Sequence, residues 1–109
     1  MATVYKVLGQ SNPSATTATT LYTVPSATAT VVSTITVANL GGSSATYRIS
    51  VRPAAAAQTN AMYIAYDVTV GANDTTTLTL GITLATTDVV TVYASSATVA
   101  FNAYGSEIA

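Results

Sequence analysis

Thr46-Tyr47-Arg48-Ile49-Ser50-Val51-Arg52 is the stretch whose reading decides the fold. Successive side chains of a strand point to opposite faces, so period-2 alternation marks a strand with one buried side. Here Tyr47, Ile49 and Val51 share one face, and Arg48, Ser50 and Arg52 share the other. Pro53 lacks a ladder donor and ends the segment. Thr77-Leu78-Thr79-Leu80 and Val99-Ala100-Phe101-Asn102-Ala103-Tyr104 alternate in the same way.

Outward from this strand, punctuation divides the chain into about eight strands, near residues 3–8, 18–24, 28–38, 45–52, 62–70, 75–80, 89–94 and 98–104. Gly9 ends the first, and Asn39-Leu40-Gly41-Gly42 is expected to supply positive φ at a turn. Ala54–Ala57 reads as a loop with at most one helical turn, and Ser95-Ser96 as a tight hairpin between the last two strands. Short strands at regular spacing point to an all-β, eight-stranded antiparallel sandwich, Ig-like or jelly-roll-like. The expected domain spans 1–109, with 105–109 a short C-terminal tail.

Threonine, alanine and valine fill about half of the 109 residues. Thr and Val are stiff at χ1 and favour pleated surfaces. Only 6% of residues are charged, against about 25% in ordinary soluble domains. Such a surface has little electrostatic protection against association, which points to homo-oligomerisation and a partner-covered exterior, with hydration by Thr and Ser hydroxyls as the alternative. Three cations, Lys6, Arg48 and Arg52, do not form the basic footprint that nucleic acid requires. No apolar run is long enough for a membrane span, and the Met1–Lys6 start lacks a secretory signal, so assembly in a cytoplasm is expected.

Enzyme chemistry finds few footholds. Histidine and cysteine are absent, so the usual nucleophile–base triad and Cys-based zinc sites are excluded. Lys6 is the sole lysine, and no motif sets it beside a serine. Asp67, Asn73, Asp74 and Asp88 lack the dense acidic spacing of a calcium loop and read as turn residues. No cofactor is expected. A Lys6–Asn102 isopeptide stays open as a minor reading should the first and last strands adjoin. The residues with recognition potential are arginines and tyrosines. Arg48 and Arg52 on one strand face are candidate interface anchors through bidentate pairing, with a solvated face as the alternative. Tyr63 and Tyr66 are expected on opposite faces of one strand, so at least one points outward; Tyr47 is expected in the core.

Several segments occur together in a familiar order. These are Val7-Leu8-Gly9-Gln10 with Leu21-Tyr22-Thr23-Val24-Pro25, then Val31-Val32-Ser33-Thr34-Ile35-Thr36-Val37-Ala38-Asn39. Tyr47-Arg48-Ile49-Ser50-Val51-Arg52-Pro53 and Phe101-Asn102-Ala103-Tyr104-Gly105-Ser106-Glu107 complete the set. This order resembles small virion structural proteins of tailed bacteriophages, cyanophages in particular. The resemblance implies a non-enzymatic particle component that decorates or cements a capsid, in contact with the major capsid protein or other virion proteins. A neck, tail or baseplate subunit is the alternative, and a host-receptor or glycan-binding module a further one.

Overall fold

The computed structural model describes residues 2–109; Met1, included in the expected 1–109 domain, lies outside the described residues. Eight strands form: β1 (Thr3–Ser11), β2 (Thr19–Thr23), β3 (Ala29–Asn39), β4 (Ala45–Arg52), β5 (Tyr63–Val70), β6 (Thr75–Leu84), β7 (Val89–Ala94) and β8 (Val99–Ile108). They make two antiparallel four-stranded sheets, ordered β1-β8-β3-β6 and β2-β7-β4-β5. β1 pairs with β8, β2 with β7, β3 with β6 and β4 with β5. The chain is therefore one long hairpin, turned between β4 and β5 and rolled into two layers. That is jelly-roll topology, and it settles the choice between the two expected sandwich types.

The core lies between the sheets and follows from alternation. Ile35, Val37 and Phe101 of the first sheet meet Tyr47, Ile49 and Val92 of the second, all essentially without exposure. Tyr47 sits edge-on to Phe101, ring centroids 6.2 Å apart. This is the core position its strand face predicted, and burial raises the pKa of its phenol.

Four local expectations are corrected. The residues around Ser95-Ser96 join β7 and β8 in different sheets, so they form a crossover and not a hairpin. Residues 105–108, expected as tail, continue β8 and pair with both β1 and β3. Gly41 and Gly42 do not supply positive φ; the left-handed positions belong to Thr16, Ala27, Ala54, Ala55, Asp67, Asn73 and Thr87. Gly41 is needed for space instead, because a Cβ there would crowd Thr98. Gly9 does not end β1. It sits at a register shift, where a Cβ would run into the backbone carbonyl of Leu21 on the other sheet.

Register shifts occur at corresponding places across the whole first sheet. β1 and β8 shift between Val7 and Gly9, and β3 shifts against both neighbours between Val32 and Thr34. These shifts form a transverse line across the sheet, and glycines 9, 81 and 105 lie on or beside it. The Ala54–Ala57 segment opens with a single 3-10 turn, Pro53–Ala55, broken by left-handed Ala54.

Candidate functional site

The outer face of the second sheet gathers the polar residues. β4 is interior in that sheet, so Arg48, Ser50 and Arg52 stand between β5 and β7. Across β7, Arg48 lies opposite Tyr93 and Ser50 opposite Thr91. Across β5, Ser50 lies opposite Tyr63, and Ile49 opposite Ala65. That pairing leaves Ile64 as an extra residue in β5, a bulge that reverses the side-chain alternation. Tyr63 and Tyr66 therefore share one face, contrary to the expected opposite faces. Their rings meet edge to face with centroids 4.9 Å apart.

Both arginines are engaged within the chain. Arg48 donates from Nε to Asp67 Oδ1 at 2.7 Å and from Nη2 to Oδ2 at 3.3 Å. Its guanidinium lies between two tyrosines, 4.2 Å from the Tyr66 ring centroid and 4.3 Å from that of Tyr93. The hydrogen bonds to Asp67 raise the Arg48 pKa, and those from Arg48 hold the Asp67 carboxyl below its ordinary range. Arg52 donates from Nε to the Ala56 carbonyl at 2.7 Å and from Nη2 to that of Ala55 at 3.1 Å. Together with Asp88, which accepts from the Ala54 amide, it ties the loop after β4 onto the sheet. Each guanidinium thus uses its Nε/Nη2 edge internally, and Nη1 makes no hydrogen bond among the described residues. Of the two arginines, Arg52 has no carboxylate partner among the described residues.

Between the arginines the sheet face dips into a cleft of about 90 Å³. Arg48, Arg52, Gln58, Tyr63 and Tyr93 form its sides, and Ser50 and Thr91 lie in their midst. Ser50 Oγ donates to Gln58 Oε1 at 2.6 Å. Thr91 is 7% exposed, and its Oγ1 has no hydrogen-bond partner among the described residues. A buried hydroxyl left so costs roughly 1–3 kcal/mol. No carboxylate lines the cleft, so its hydroxyls have no general base beside them.

Of the sequence candidates, Arg48, Arg52 and Tyr63 line the cleft and Tyr66 stacks beside Arg48; the structure adds Asp67, Tyr93, Gln58 and Thr91, of which the sequence singled out Tyr93 only as one of seven tyrosines. Asp67 and Tyr93 face Arg48 across strand pairings that a linear pattern does not display. Gln58 carries no sequence signal, and Thr91 is one threonine among many. The acids considered for calcium are dispersed: Asp67 holds Arg48, Asp88 holds two loop amides, and Asp74 accepts from the following amide. Among the described residues no group of three or more His, Cys, Asp or Glu converges.

The first sheet presents a different surface. The stretch Thr3–Val7 of β1 is exposed throughout, with Val4, Tyr5 and Val7 at 52%, 84% and 48%. Tyr5, Val7, Val31 and Tyr104 help line a shallow groove of about 530 Å³ on that face. Lys6 pairs with Glu107 at 3.3 Å, and the other Glu107 oxygen accepts from the Tyr22 hydroxyl, which also bonds Thr30. The Tyr22 and Lys6 hydrogen bonds hold Glu107 below its ordinary pKa, while burial and the bond to Glu107 push Tyr22 up to about 12. First and last strands do adjoin, yet Lys6 lies opposite Gly105, and Asn102 bonds Gln10 at 2.8 Å. The register therefore removes the isopeptide reading. No helix among the described residues is long and apolar enough to cross a membrane. No family model, curated protein or solved structure matches this chain.

Proposed function

We propose that the protein is a non-enzymatic structural subunit that self-associates and decorates or cements a bacteriophage capsid. The observation that carries the assembly reading is the outer edge of β1. This edge strand hydrogen-bonds a partner on one side only and exposes Val4, Tyr5 and Val7 along its first half. Natural proteins guard such edges with charge, proline or a covering loop. Here the single lysine is drawn back to Glu107, in a chain with few other charges. An extended segment from a neighbouring subunit would complete the ladder and cover the apolar side chains.

The virion assignment rests on the sequence resemblance and, by analogy alone, on the use of jelly rolls in viral shells. A neck, tail or baseplate ring in the same particle is the second reading, since an open edge serves ring closure equally well. Sedimentation equilibrium from micromolar to millimolar protein tests the shared core of both, with oligomers expected throughout. A monomer over that whole range overturns self-association. Copy number in purified particles then separates the readings: hundreds per particle for decoration, a few rings' worth for a neck or tail.

A further inference from the structure

The cleft on the second sheet has more donors than acceptors. Arg52 brings a positive charge with no carboxylate partner among the described residues, and neither arginine's Nη1 makes a hydrogen bond among them. Thr91 adds a buried hydroxyl with no partner among the described residues, and Gln58 uses Nε2 for one bond, to the Thr59 carbonyl. Every charged side chain lining the cleft is cationic. Planar guanidinium edges, with the Thr91 side chain in the lining, match a planar anion with two acceptor oxygens. The volume of about 90 Å³ admits a head group of a few heavy atoms. A sugar ring fits poorly, because Arg48 already occupies one face each of Tyr66 and Tyr93.

We propose that this cleft binds one carboxylate group, with Arg52 as its charged anchor and the Thr91 hydroxyl as its buried donor. The carboxylate has two sources of the same chemistry. One is a small free carboxylate; the other is the exposed Asp74 at the β5–β6 turn of a second copy, whose side chain bonds only its neighbour's amide among the described residues. Only the second source rests on the assembly reading.

The test is an amide NMR titration of the full chain with sodium acetate, against sodium chloride at equal ionic strength. Acetate is expected to shift the Ser50, Thr91 and Tyr93 signals saturably, with half-saturation in the millimolar range. Arg52→Gln weakens this by about tenfold or more, as loss of a charge-assisted bond should. Arg52 also ties down a loop, so Thr91→Val is the second variant. It removes the unpartnered hydroxyl, and it should weaken acetate binding while leaving the melting temperature equal or higher. Equal shifts with chloride, or wild-type titration of Thr91→Val, overturn the proposal. So does methyl glucoside moving the same signals where acetate does not. Asp74→Asn separates the sources: reduced self-association, mimicked by acetate competition in the wild type, assigns the second copy. Unchanged association with acetate still bound assigns a free ligand.

Discussion

Arg48 shows how much one residue's role depends on neighbours that lie far away in sequence. Alternation alone places it on the polar face with Ser50 and Arg52, as the structure does. What alternation does not show is that Asp67, Tyr66 and Tyr93 contact its guanidinium. Asp67 and Glu107 both have folded pKa values below their ordinary ones. The sign follows: their stabilisation is complete above the ordinary carboxylate range and is lost as pH falls through the depressed folded values. Tyr22 runs the other way. Its pKa is raised, so its contribution is complete below pH 10 and is lost as pH rises towards about 12. Thermal melts followed by circular dichroism should therefore show an acid limb and an alkaline limb around a neutral plateau. Asp67→Asn should lower the plateau and shrink the acid limb only. Tyr22→Phe should shrink the alkaline limb, leaving the part owed to buried Tyr47, and also shrink the acid limb, because Glu107 loses the bond that depresses its pKa. A Tyr22→Phe protein with an unchanged alkaline limb would contradict this assignment.

At the scale of the element, strand existence was legible and strand length was not. β4 and β7 were bounded correctly by Pro53 and Asp88, residues with one strong local meaning. β1, β6 and β8 each run three or four residues past their expected ends, to Ser11, Leu84 and Ile108. Each overrun passes a glycine, 9, 81 or 105, that lies within the strand at or next to a register shift; Gly9 is the one read as a stop. A glycine that ends a strand and one that permits a bulge look alike in sequence. Tyr63 and Tyr66 were misplaced for the same reason, because a bulge shifts parity without leaving a residue signature. The glycines also make a matched experiment. At Gly9 an added methyl would meet the Leu21 carbonyl, whereas at Gly81 it meets open space. Gly9→Ala should destabilise by about 1–3 kcal/mol, the range for overpacking. Gly81→Ala should be neutral or stabilise by up to about 1 kcal/mol, as strand glycines replaced without clash tend to. Urea midpoints for the two variants check this, and similar values for both would mean that the approach of β1 to β2 is not a tight constraint.

For the whole molecule, a two-layer sandwich was legible from strand count and alternation, while the winding was not. Which sheet each strand joins depends on pairings such as β1 with β8, at opposite ends of the chain. That pairing leaves β1 and β6 as the two edges of the first sheet. They are chemically unlike: β1 exposes Val4, Tyr5 and Val7, whereas β6 turns Thr75, Thr77, Thr79 and Thr83 outward. Two subunits can join β1 to β1, which closes a dimer, or β1 to β6, which continues head to tail into a ring or filament. Charge placed on an edge strand opposes pairing by leaving an ammonium unsolvated in the new contact. Val7 and Thr79 are both exposed, so a lysine at either should leave the subunit's own melt nearly unchanged. Val7→Lys should convert oligomers to monomers in sedimentation under either geometry. Thr79→Lys should do so only if β6 is the acceptor. Dissociation by Val7→Lys alone therefore assigns closed dimers, and dissociation by both assigns rings or filaments, the geometry a neck or tail requires. If neither substitution changes the sedimenting mass, the first sheet's edges are not the contact, and the assembly proposal loses the observation on which it stands.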